Sequence, residues 1–244
     1  MKTVILVPVF NCGKTLPTFF SFLYKLTPQP NLFVFAENNS NDNTLKVLKG
    51  FKKPHKIIRV WFRDDAAINS ESRYVPIAHI RQLLLTFARN YDPDFAIFID
   101  SDIYPHSKDL IDRLTLWGTD IIGGAYLRLF PEGLFIASKW LTQDDHIRMI
   151  KNINTNLSEP HVTSAGCLCL SRKIIQDKRL NFYPLLEQAS EDFGYCIKAR
   201  ELGYRIYLDG DLKLQHIIPQ KTPKKPWVFD EQIGRCTPFY YNSV

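Results

Sequence analysis

Two carboxylates separated by one residue follow a short apolar run near the middle of the chain. Asp100 and Asp102 come directly after the run from Phe95 to Ile99. Both side chains can point the same way from the end of an extended strand. Two like charges this close repel each other, and a hard divalent cation such as Mg²⁺ or Mn²⁺ would neutralise them while leaving positions open for phosphate oxygens. The alternatives are a solvated turn and a cap for the helix that follows.

A second pair of carboxylates lies in the C-terminal part of the chain, at the start of a predicted helix. Glu191 and Asp192 are adjacent, and the helical pattern that they begin stops at Gly203. Negative charge is favourable in a first helical turn, which gives this pair a structural interpretation. A positioned carboxylate can also act as a general base. His216 follows the next predicted strand and could add a third metal ligand, although a single histidine is more often structural.

The segments that must position these residues alternate between strands and helices. The first run, residues 3–10, is rich in β-branched residues without polar alternation, which is typical of a strand buried on both faces. Alternating strands and helices joined by short loops predict a right-handed, mostly parallel βαβ sheet. The predicted strands are residues 3–10, 32–36, 57–62, 95–99, 120–125 and 205–208, and the predicted helices are residues 16–24, 44–50, 76–90, 109–117 and 191–202.

Polar clusters follow three of the predicted strands. Residues 11–14 follow the first strand, residues 37–42 the second, and Asp100 with Asp102 the fourth. In open parallel sheets, ligands bind beyond the carboxyl ends of the strands. The three clusters therefore predict a ligand crevice at one edge of the sheet. Residues 128–163 have a mixed pattern that suits a small flap or hairpin region.

The composition is that of an ordinary globular protein. The chain has 244 residues, of which 45% are hydrophobic and 23% charged, so disorder, collagen and a disulfide-stapled mini-protein are excluded. Five cysteines at irregular positions favour a reducing compartment over a disulfide framework. No apolar run suits a membrane span, and the N-terminal run is too short for a signal peptide. The net charge of +6 is compatible with an anionic ligand, a membrane surface or nucleic acid.

The motifs occur in a specific order along the chain. They are Val7-Pro-Val-Phe-Asn11, Glu37-Asn-Asn-Ser-Asn-Asp42-Asn-Thr44, Ile99-Asp-Ser-Asp102, Ser190-Glu-Asp192 and His216. This ordered set resembles the glycosyltransferases of the GT-A fold, and most closely their family-2-like group, over about residues 3–216. The resemblance implies an α/β domain with a Rossmann-like, mostly parallel central sheet flanked by helices and a smaller mixed acceptor-side region. It also implies a metal-dependent enzyme that moves a sugar from a nucleoside-diphosphate sugar of the UDP or GDP type to an acceptor hydroxyl.

The resemblance also implies a set of donor-binding residues. Glu37 would contact the base or ribose, but it stands where the family usually has Asp, and Asn38 stands where a second Asp is usual, which leaves the base preference open. Arg81 lies in the helix before the metal strand and would pair with a carboxylate or with the diphosphate. The full set implied by the resemblance is Pro8, Phe10, Asn11, Glu37, Asn39, Arg81 and Ser101.

The chemistry implied by the family uses the two acidic motifs. Asp100, Asp102 and His216 would hold Mn²⁺ or Mg²⁺, with Asp102 the more direct ligand. A divalent ion bridging both phosphates neutralises the charge that develops on the leaving diphosphate. Asp192 would deprotonate the acceptor hydroxyl for an in-line attack that inverts the anomeric centre, with Glu191 as an acceptor-binding partner. Ala165-Gly166 falls where a small-residue loop under the acceptor is common, and close packing explains it equally well.

We expect one catalytic domain over residues 1–244. Residues 1–105 form its nucleotide-binding half, residues 106–216 its acceptor-binding half and residues 217–244 a C-terminal tail. Lysines of the tail, with Trp227, could fold over the diphosphate and exclude water, or form a solvated basic tail; these lysines are Lys221, Lys224 and Lys225. The expected acceptor is a glycan, glycolipid or glycoprotein, and no nucleic acid is expected. The expected location is cytoplasmic, with a peripheral contact to a membrane as a further expectation, and the oligomeric state stays open.

Three other functions fit parts of the sequence. The stretch Asp100-Ser-Asp-Ile103 with Asp120-Ile-Ile-Gly123 also resembles the fungal mannan-polymerase family, which retains the donor stereochemistry. A haloacid-dehalogenase-type phosphatase also places Asp-x-Asp after an apolar strand, but there the motif opens the domain. A non-catalytic sugar-nucleotide-binding subunit is the third, although the intact acidic pairs argue against decay. A nucleotidyltransferase needs a longer glycine-rich loop than Asn11-Cys-Gly-Lys14.

Overall fold

A nine-stranded sheet forms the centre of the fold in the computed structural model, which describes residues 1–61, 74–127, 138–141, 147–149, 156–183, 190–217, 227–230 and 235–238. The helices are α1 Leu16–Leu23, α2 Thr44–Lys49, α3 Tyr74–Tyr91, α4 Leu110–Leu116, α5 Arg172–Gln176 and α6 Glu191–Glu201. The strands are β1 Thr3–Val9, β2 Leu32–Glu37, β3 His55–Arg59, β4 Phe95–Ile99, β5 Ile103–Pro105, β6 Ile121–Leu127, β7 Ser138–Leu141, β8 Ile147–Met149, β9 Leu157–Ser158, β10 Val162–Thr163, β11 Cys167–Ser171, β12 Ile206–His216, β13 Trp227–Asp230 and β14 Arg235–Pro238.

The strand order in the sheet is β3-β2-β1-β4-β11-β6-β12-β5, and β9 pairs with β12. Strands β3, β2, β1 and β4 are parallel, as are β6 and β12. β11 lies antiparallel between β4 and β6, and β5 and β9 are antiparallel to β12. The α/β class with flanking helices is confirmed. The mostly parallel sheet is not confirmed, because parallel pairing is limited to the first four strands and to β6 with β12, and β11 is antiparallel to both of its neighbours.

Both faces of the central strands are buried. All seven residues of β1 are buried, which explains why its sequence shows no polar alternation. On one face, Ile5 and Phe35 pack with Phe19 and Phe20 of α1. On the other face, Leu6 and neighbouring side chains pack with α3 and α6. Burial of each large apolar side chain stabilises the folded protein by about 1.5–3 kcal/mol, so the packing on both faces holds the strands of the sheet in place.

The second half of the chain departs most from the sequence predictions. The strand predicted at residues 205–208 runs to His216, and the short strand β5 was not predicted. The predicted hairpin region contains an antiparallel pair, β7 and β8, which forms a small sheet with β10. The predicted tail contains a second hairpin, formed by β13 and β14. The tail lysines of the sequence analysis lie outside the described residues.

Four cysteine side chains are described, and all four thiols are free. Cys167, Cys169 and Cys196 are buried in the core, and burial raises the pKa of Cys167 to about 12. These thiols therefore pack as small apolar groups. Within the described ranges, no helix is long and apolar enough to cross a membrane.

Candidate active site

The loops after β1 and β2 are joined by hydrogen bonds at the carboxyl edge of the sheet. The Asn11 amide N–H donates to Ser40 Oγ at 2.9 Å, and the Asn41 N–H donates to Asn11 Oδ1 at 2.9 Å. The Gly13 N–H donates to Asp42 Oδ2 at 3.0 Å. Since β1 and β2 are parallel neighbours, their carboxyl ends meet at the same edge. The structure therefore brings together the first two of the three predicted polar clusters.

Backbone geometry explains several residue types in these loops. Asn11 and Asn39 have φ angles of 48° and 43°, a region that asparagine tolerates better than most residues. A Cβ on Gly13 would lie 1.9 Å from Asn43 Oδ1, so this close approach requires glycine. Phe10 is 56% exposed at the rim, whereas Pro8 is buried within β1. The contacts of Pro8, Phe10, Asn11 and Asn39 with a nucleotide stay predictions.

Glu37 is already fully engaged within the protein. Its side chain is 1% exposed, Oε1 accepts the Ser40 N–H at 2.5 Å, and Oε2 accepts the Arg59 Nε–H at 3.3 Å. Glu37 thus organises the loop after β2, and its contact with a base or ribose stays a prediction. Arg59, whose guanidinium lies 4.4 Å from the centre of the Trp61 ring, was missed by the sequence analysis. Its position at the carboxyl end of β3 was the available signal.

Arg81 connects the two acidic motifs. It extends from α3, is 3% exposed, and its Nη2 donates to Asp100 Oδ1 at 2.9 Å and Oδ2 at 3.0 Å. Its Nε donates to Glu191 Oε1 at 3.2 Å, and its Nη1 donates to the Ala165 carbonyl at 3.0 Å. The predicted pairing of Arg81 with a carboxylate is present. Because every guanidinium nitrogen has a partner, a contact with the diphosphate would require Arg81 to exchange one.

The acidic groups around Arg81 are perturbed by burial. Burial raises the pKa of Asp100 to about 6, with Arg81 opposing and the charge of Asp102 adding to the rise. Burial and the charge of Asp192 raise the pKa of Glu191 to about 7. Burial alone would lower the pKa of Arg81, but the surrounding carboxylates raise it. One cation thus faces three carboxylates, and the excess negative charge favours a bound proton or a further cation at this edge.

A tight turn at residues 164–166 is hydrogen-bonded both to Asp100, which follows β4, and to Asp192 in α6. The Ala165 N–H donates to Asp192 Oδ2 at 3.2 Å, and the Asp100 N–H donates to the Gly166 carbonyl at 3.0 Å. A Cβ on Gly166 would lie 2.5 Å from the hydroxyl oxygen of Tyr126. Glycine is therefore required by close packing, one of the two interpretations that the sequence allowed.

Tyr126 and Ser164 support this turn and were missed by the sequence analysis. The Tyr126 hydroxyl donates to Ser164 Oγ at 2.6 Å, and Ser164 Oγ also accepts the Gly166 N–H at 3.3 Å. Both side chains are buried, and burial raises the pKa of Tyr126. A tyrosine near the end of an apolar strand was the only signal in the sequence. The pair forms the floor between Asp192 and His216.

Asp192 lies in the first turn of α6 with its side chain 8% exposed. Its Oδ1 accepts two hydrogen bonds, from Ser190 Oγ at 2.5 Å and from the Phe193 N–H at 2.9 Å. Its Oδ2 accepts only the Ala165 N–H among the described donors. Oδ2 is therefore the oxygen with a lone pair left to accept a proton.

Asp102 and His216 lie side by side. Asp102 Oδ2 is 3.2 Å from His216 Nε2, and the edge of the Tyr126 ring packs against the imidazole. The pair forms because β5 runs antiparallel to β12 with Ile103 opposite His216. The other ring nitrogen, Nδ1, is buried and has no hydrogen-bond partner among the described residues.

The Asp102–His216 pair fits two ligands of one divalent ion. Adjacent ligands of an octahedral ion lie about 3 Å apart, close to the observed separation. Asp100 turns both carboxylate oxygens toward Arg81 instead. Within the part of the chain that the structure describes, no group of three or more His, Cys, Asp or Glu side chains is arranged to hold a metal ion. Ser101, between the two aspartates, is half-buried, and its contact with a nucleotide stays a prediction. The metal roles of Asp100, Asp102 and His216 stay predictions.

The fold and the site together define an α/β protein with a cluster of acidic side chains at the carboxyl edge of its parallel strands. Neither a known family model nor a curated protein matches the sequence. Solved structures with the same fold include A197 from STIV, with 15% identity and a TM-score of 0.52 over 100% of this chain and 97% of that chain. They also include S. aureus TarS, with 17% identity and a TM-score of 0.58 over 89% of this chain and 37% of that chain.

A structure of TarS 1-349 in complex with UDP has the same fold too, with 18% identity and a TM-score of 0.58 over 89% of this chain and 61% of that chain. This chain thus spans nearly all of A197 but less than two thirds of either form of TarS. The likeness supports the glycosyltransferase fold predicted from the motif order. The narrower family-2 assignment stays a prediction.

Proposed function

We propose that this protein transfers a sugar from a nucleoside-diphosphate sugar to an acceptor hydroxyl with inversion at the anomeric carbon. The observation that carries the proposal is the arrangement of Asp100, Glu191 and Asp192 around Arg81 and the turn at residues 164–166. These groups come from β4, α6 and α3 and meet at the edge where ligands of parallel sheets bind. A shared anchor of this kind fixes the donor side and the acceptor side of a transfer site relative to each other.

The donor would bind across the loops after β1 and β2. Their backbone is held by the Asn11–Ser40 and Gly13–Asp42 hydrogen bonds, which leaves the exposed Phe10 side chain at the rim. A protein of the same fold binds UDP. We therefore propose a donor of the UDP or GDP type.

Asp102 and His216 would hold Mn²⁺ or Mg²⁺ near the diphosphate. The bound ion would supply neutralisation of the negative charge that develops on the leaving nucleoside diphosphate. Asp102 is also the more exposed of the two aspartates, whereas Asp100 is paired with Arg81. The proposed role of Asp100 is therefore to fix the turn that carries Asp102.

Asp192 would act as the general base through Oδ2. It accepts the proton of the acceptor hydroxyl while the hydroxyl oxygen forms a bond to the anomeric carbon and the bond from that carbon to the diphosphate oxygen breaks. The hydrogen bonds from Ser190 and Phe193 hold the opposite carboxylate oxygen and so orient Oδ2. One base and one in-line displacement give inversion. Glu191 would bind the acceptor beside it.

A thermal-shift panel tests the donor proposal. UDP, GDP, CDP and dTDP are added with and without Mn²⁺, and one uridine or guanosine diphosphate should stabilise the protein more strongly when Mn²⁺ is present. Asp102→Asn should remove the metal-dependent part of the shift. The exposed Asp109 offers the matched control, since Asp109→Asn changes the same charge outside the crevice. No response to any nucleotide would refute the proposal.

Product analysis tests the base. With the donor found by the panel, Asp192→Asn should lower the transfer rate by about 10²–10⁴-fold and leave the nucleotide-dependent thermal shift unchanged. Nuclear magnetic resonance of the product should show the inverted anomer. Retention of the donor configuration would remove Asp192 from the role of base and favour the retaining alternative.

A further inference from the structure

The positive charge of this protein is concentrated in one stretch of the chain. Residues 44–61 contain six lysine and arginine residues and no aspartate or glutamate. The whole chain has 31 basic and 25 acidic residues, so setting these six aside leaves 25 of each sign. The net charge of +6 therefore equals the charge of this one stretch, which contains α2, β3 and the turn between them.

Four lysines of this stretch form a surface that we call the α2 lysine cluster: Lys46, Lys49, Lys52 and Lys53. Lys46 and Lys49 are three residues apart on α2 and so lie on the same side of the helix. Lys52 and Lys53 lie in the turn that follows. Three of the side chains are exposed and that of Lys53 is half-buried.

These ammonium groups lack a counter-charge among the residues that the structure describes. Within the described ranges, no carboxylate lies within 4.0 Å of any of the four. Some exposed cations elsewhere on the described surface are paired with carboxylates. The pairs are Arg172 with Asp92, Lys173 with Asp120, Arg179 with Asp177 and Arg205 with Glu159. Unpaired like charges repel each other, so the cluster favours a partner with a negative surface.

An exposed aromatic side chain, Trp61, follows the edge strand β3 of the sheet. Among the described strands, β3 pairs only with β2 and forms that edge. Trp61 follows β3, is 59% exposed and carries the Arg59 guanidinium against its ring. Trp61 follows the carboxyl end of β3, whereas Lys52 and Lys53 precede its amino end, so Trp61 lies outside the α2 lysine cluster.

We infer that the α2 lysine cluster binds the protein to an anionic lipid surface. Lysines are compact point charges that suit the diffuse potential of such a surface, and each contributes about a fivefold gain in binding. Nucleic-acid readers favour arginine forks and rows of stacking aromatics, neither of which occurs in the cluster. None of its residues belongs to the proposed transfer site, so the inference is independent of the proposed function.

Vesicle sedimentation tests this inference. The protein is mixed with vesicles of phosphatidylcholine alone and with vesicles of phosphatidylcholine and phosphatidylserine. It should bind only the second, and binding should fall steeply between about 0.1 M and about 0.5 M salt because screening shortens the range of the attraction. The variant K46Q/K49Q/K52Q should bind about 100-fold more weakly.

The matched control removes the same charge elsewhere. K25Q/K108Q/K178Q neutralises three exposed lysines outside the cluster and should retain most of the binding. Both triple variants should unfold at the temperature of the unmodified protein. Should the cluster variant unfold early, the three single substitutions replace it, each with an expected loss of about fivefold.

Three outcomes would overturn the inference. The first is a failure of the unmodified protein to bind vesicles that contain phosphatidylserine. The second is an equal loss of binding in the two triple variants. The third is cluster-dependent binding to single-stranded DNA without binding to vesicles, which would assign the surface to a nucleic acid. A cooperative thermal unfolding transition in the same preparation shows that the protein is intact, so this test does not depend on nucleotide binding.

Discussion

We expect the protonation of Glu191 to make the free energy of unfolding depend on pH. Its pKa rises from the ordinary value of 4.5 to about 7 on folding, through burial and the charge of Asp192. A raised acid pKa means that the folded state binds the proton more tightly than the unfolded state. Its stabilising contribution is complete below about pH 4.5 and is lost as the pH rises through about 7.

The free energy of unfolding should therefore fall by about 2–4 kcal/mol between pH 5 and pH 8. Glu191→Gln keeps an oxygen for Arg81 but cannot titrate, so most of this slope should disappear. Urea denaturation at both pH values measures it. Glu201, the last residue of α6, is exposed and gives the control Glu201→Gln, which should keep the slope. An unchanged slope in Glu191→Gln would contradict the expectation.

Tyr126 acts on the site through Ser164 and the turn that follows it, which makes it a positioning residue. Tyr126→Phe removes the 2.6 Å hydrogen bond to Ser164 Oγ and should cost about 1 kcal/mol of stability. The transfer rate should fall further than binding of the nucleotide, because the turn carries the Asp192 contact. Tyr204→Phe removes a comparable hydroxyl, bound to Asp177, and serves as the control. Equal kinetic effects of the two substitutions would argue against positioning.

At the scale of elements, the turn before β11 is where the two halves of the site are joined. Gly166 leads into β11, and its carbonyl accepts the Asp100 N–H at the end of β4. A methyl group there would meet the Tyr126 hydroxyl at 2.5 Å and the ring carbon that bears it at 2.9 Å. The packing at Gly166 therefore leaves no room for a larger side chain.

Gly166→Ala should destabilise the protein by about 1–3 kcal/mol, because overpacking moves the turn. The substitution should cost less in a Tyr126→Phe background, since the nearest atom is then absent. Thermal unfolding of the two single variants and the double variant measures this coupling. Gly50→Ala, at the C-terminal end of α2 with a negative φ, is the control. Simple additivity of the two substitutions would show that the close contact is relieved in another way.

For the whole molecule, the shared sheet predicts that the two expected halves unfold together. The boundary near residue 105 falls between strands of one sheet, and β11 of the second half pairs with β4 of the first over five residues. Arg81 adds a buried ion pair with Glu191 across the same boundary. Such halves do not form independent units.

Calorimetry should therefore give one transition with equal calorimetric and van't Hoff enthalpies. Leu168→Ala, at the centre of β11 and fully buried, should shift that single transition downward by the loss of about 2–5 kcal/mol. Leu116→Ala at an exposed helix end is the control and should change little. Two resolved transitions, with only one affected by Leu168→Ala, would contradict a single cooperative unit.

The sequence alone determined the features that depend on local pattern. The buried character of β1, the helix that begins at Glu191 and the position of Asp100 directly after β4 all follow from the hydrophobic period and from the residues that end it. The order of the motifs also predicted the fold that the solved structures share with this chain. These features depend only on residues that are close together in the sequence.

Contacts between distant residues were decided by the tertiary structure alone. Arg81 meets Glu191 across 110 residues, and Asp102 meets His216 across 114 residues because β5 pairs antiparallel with β12. The antiparallel entry of β11 and the support of its turn by Tyr126 are of the same kind. Strand direction and register depend on which surfaces pack over the whole core, and no local period encodes that choice. The sequence thus named most of the acidic groups, and the packing of the sheet decided which of them share a partner.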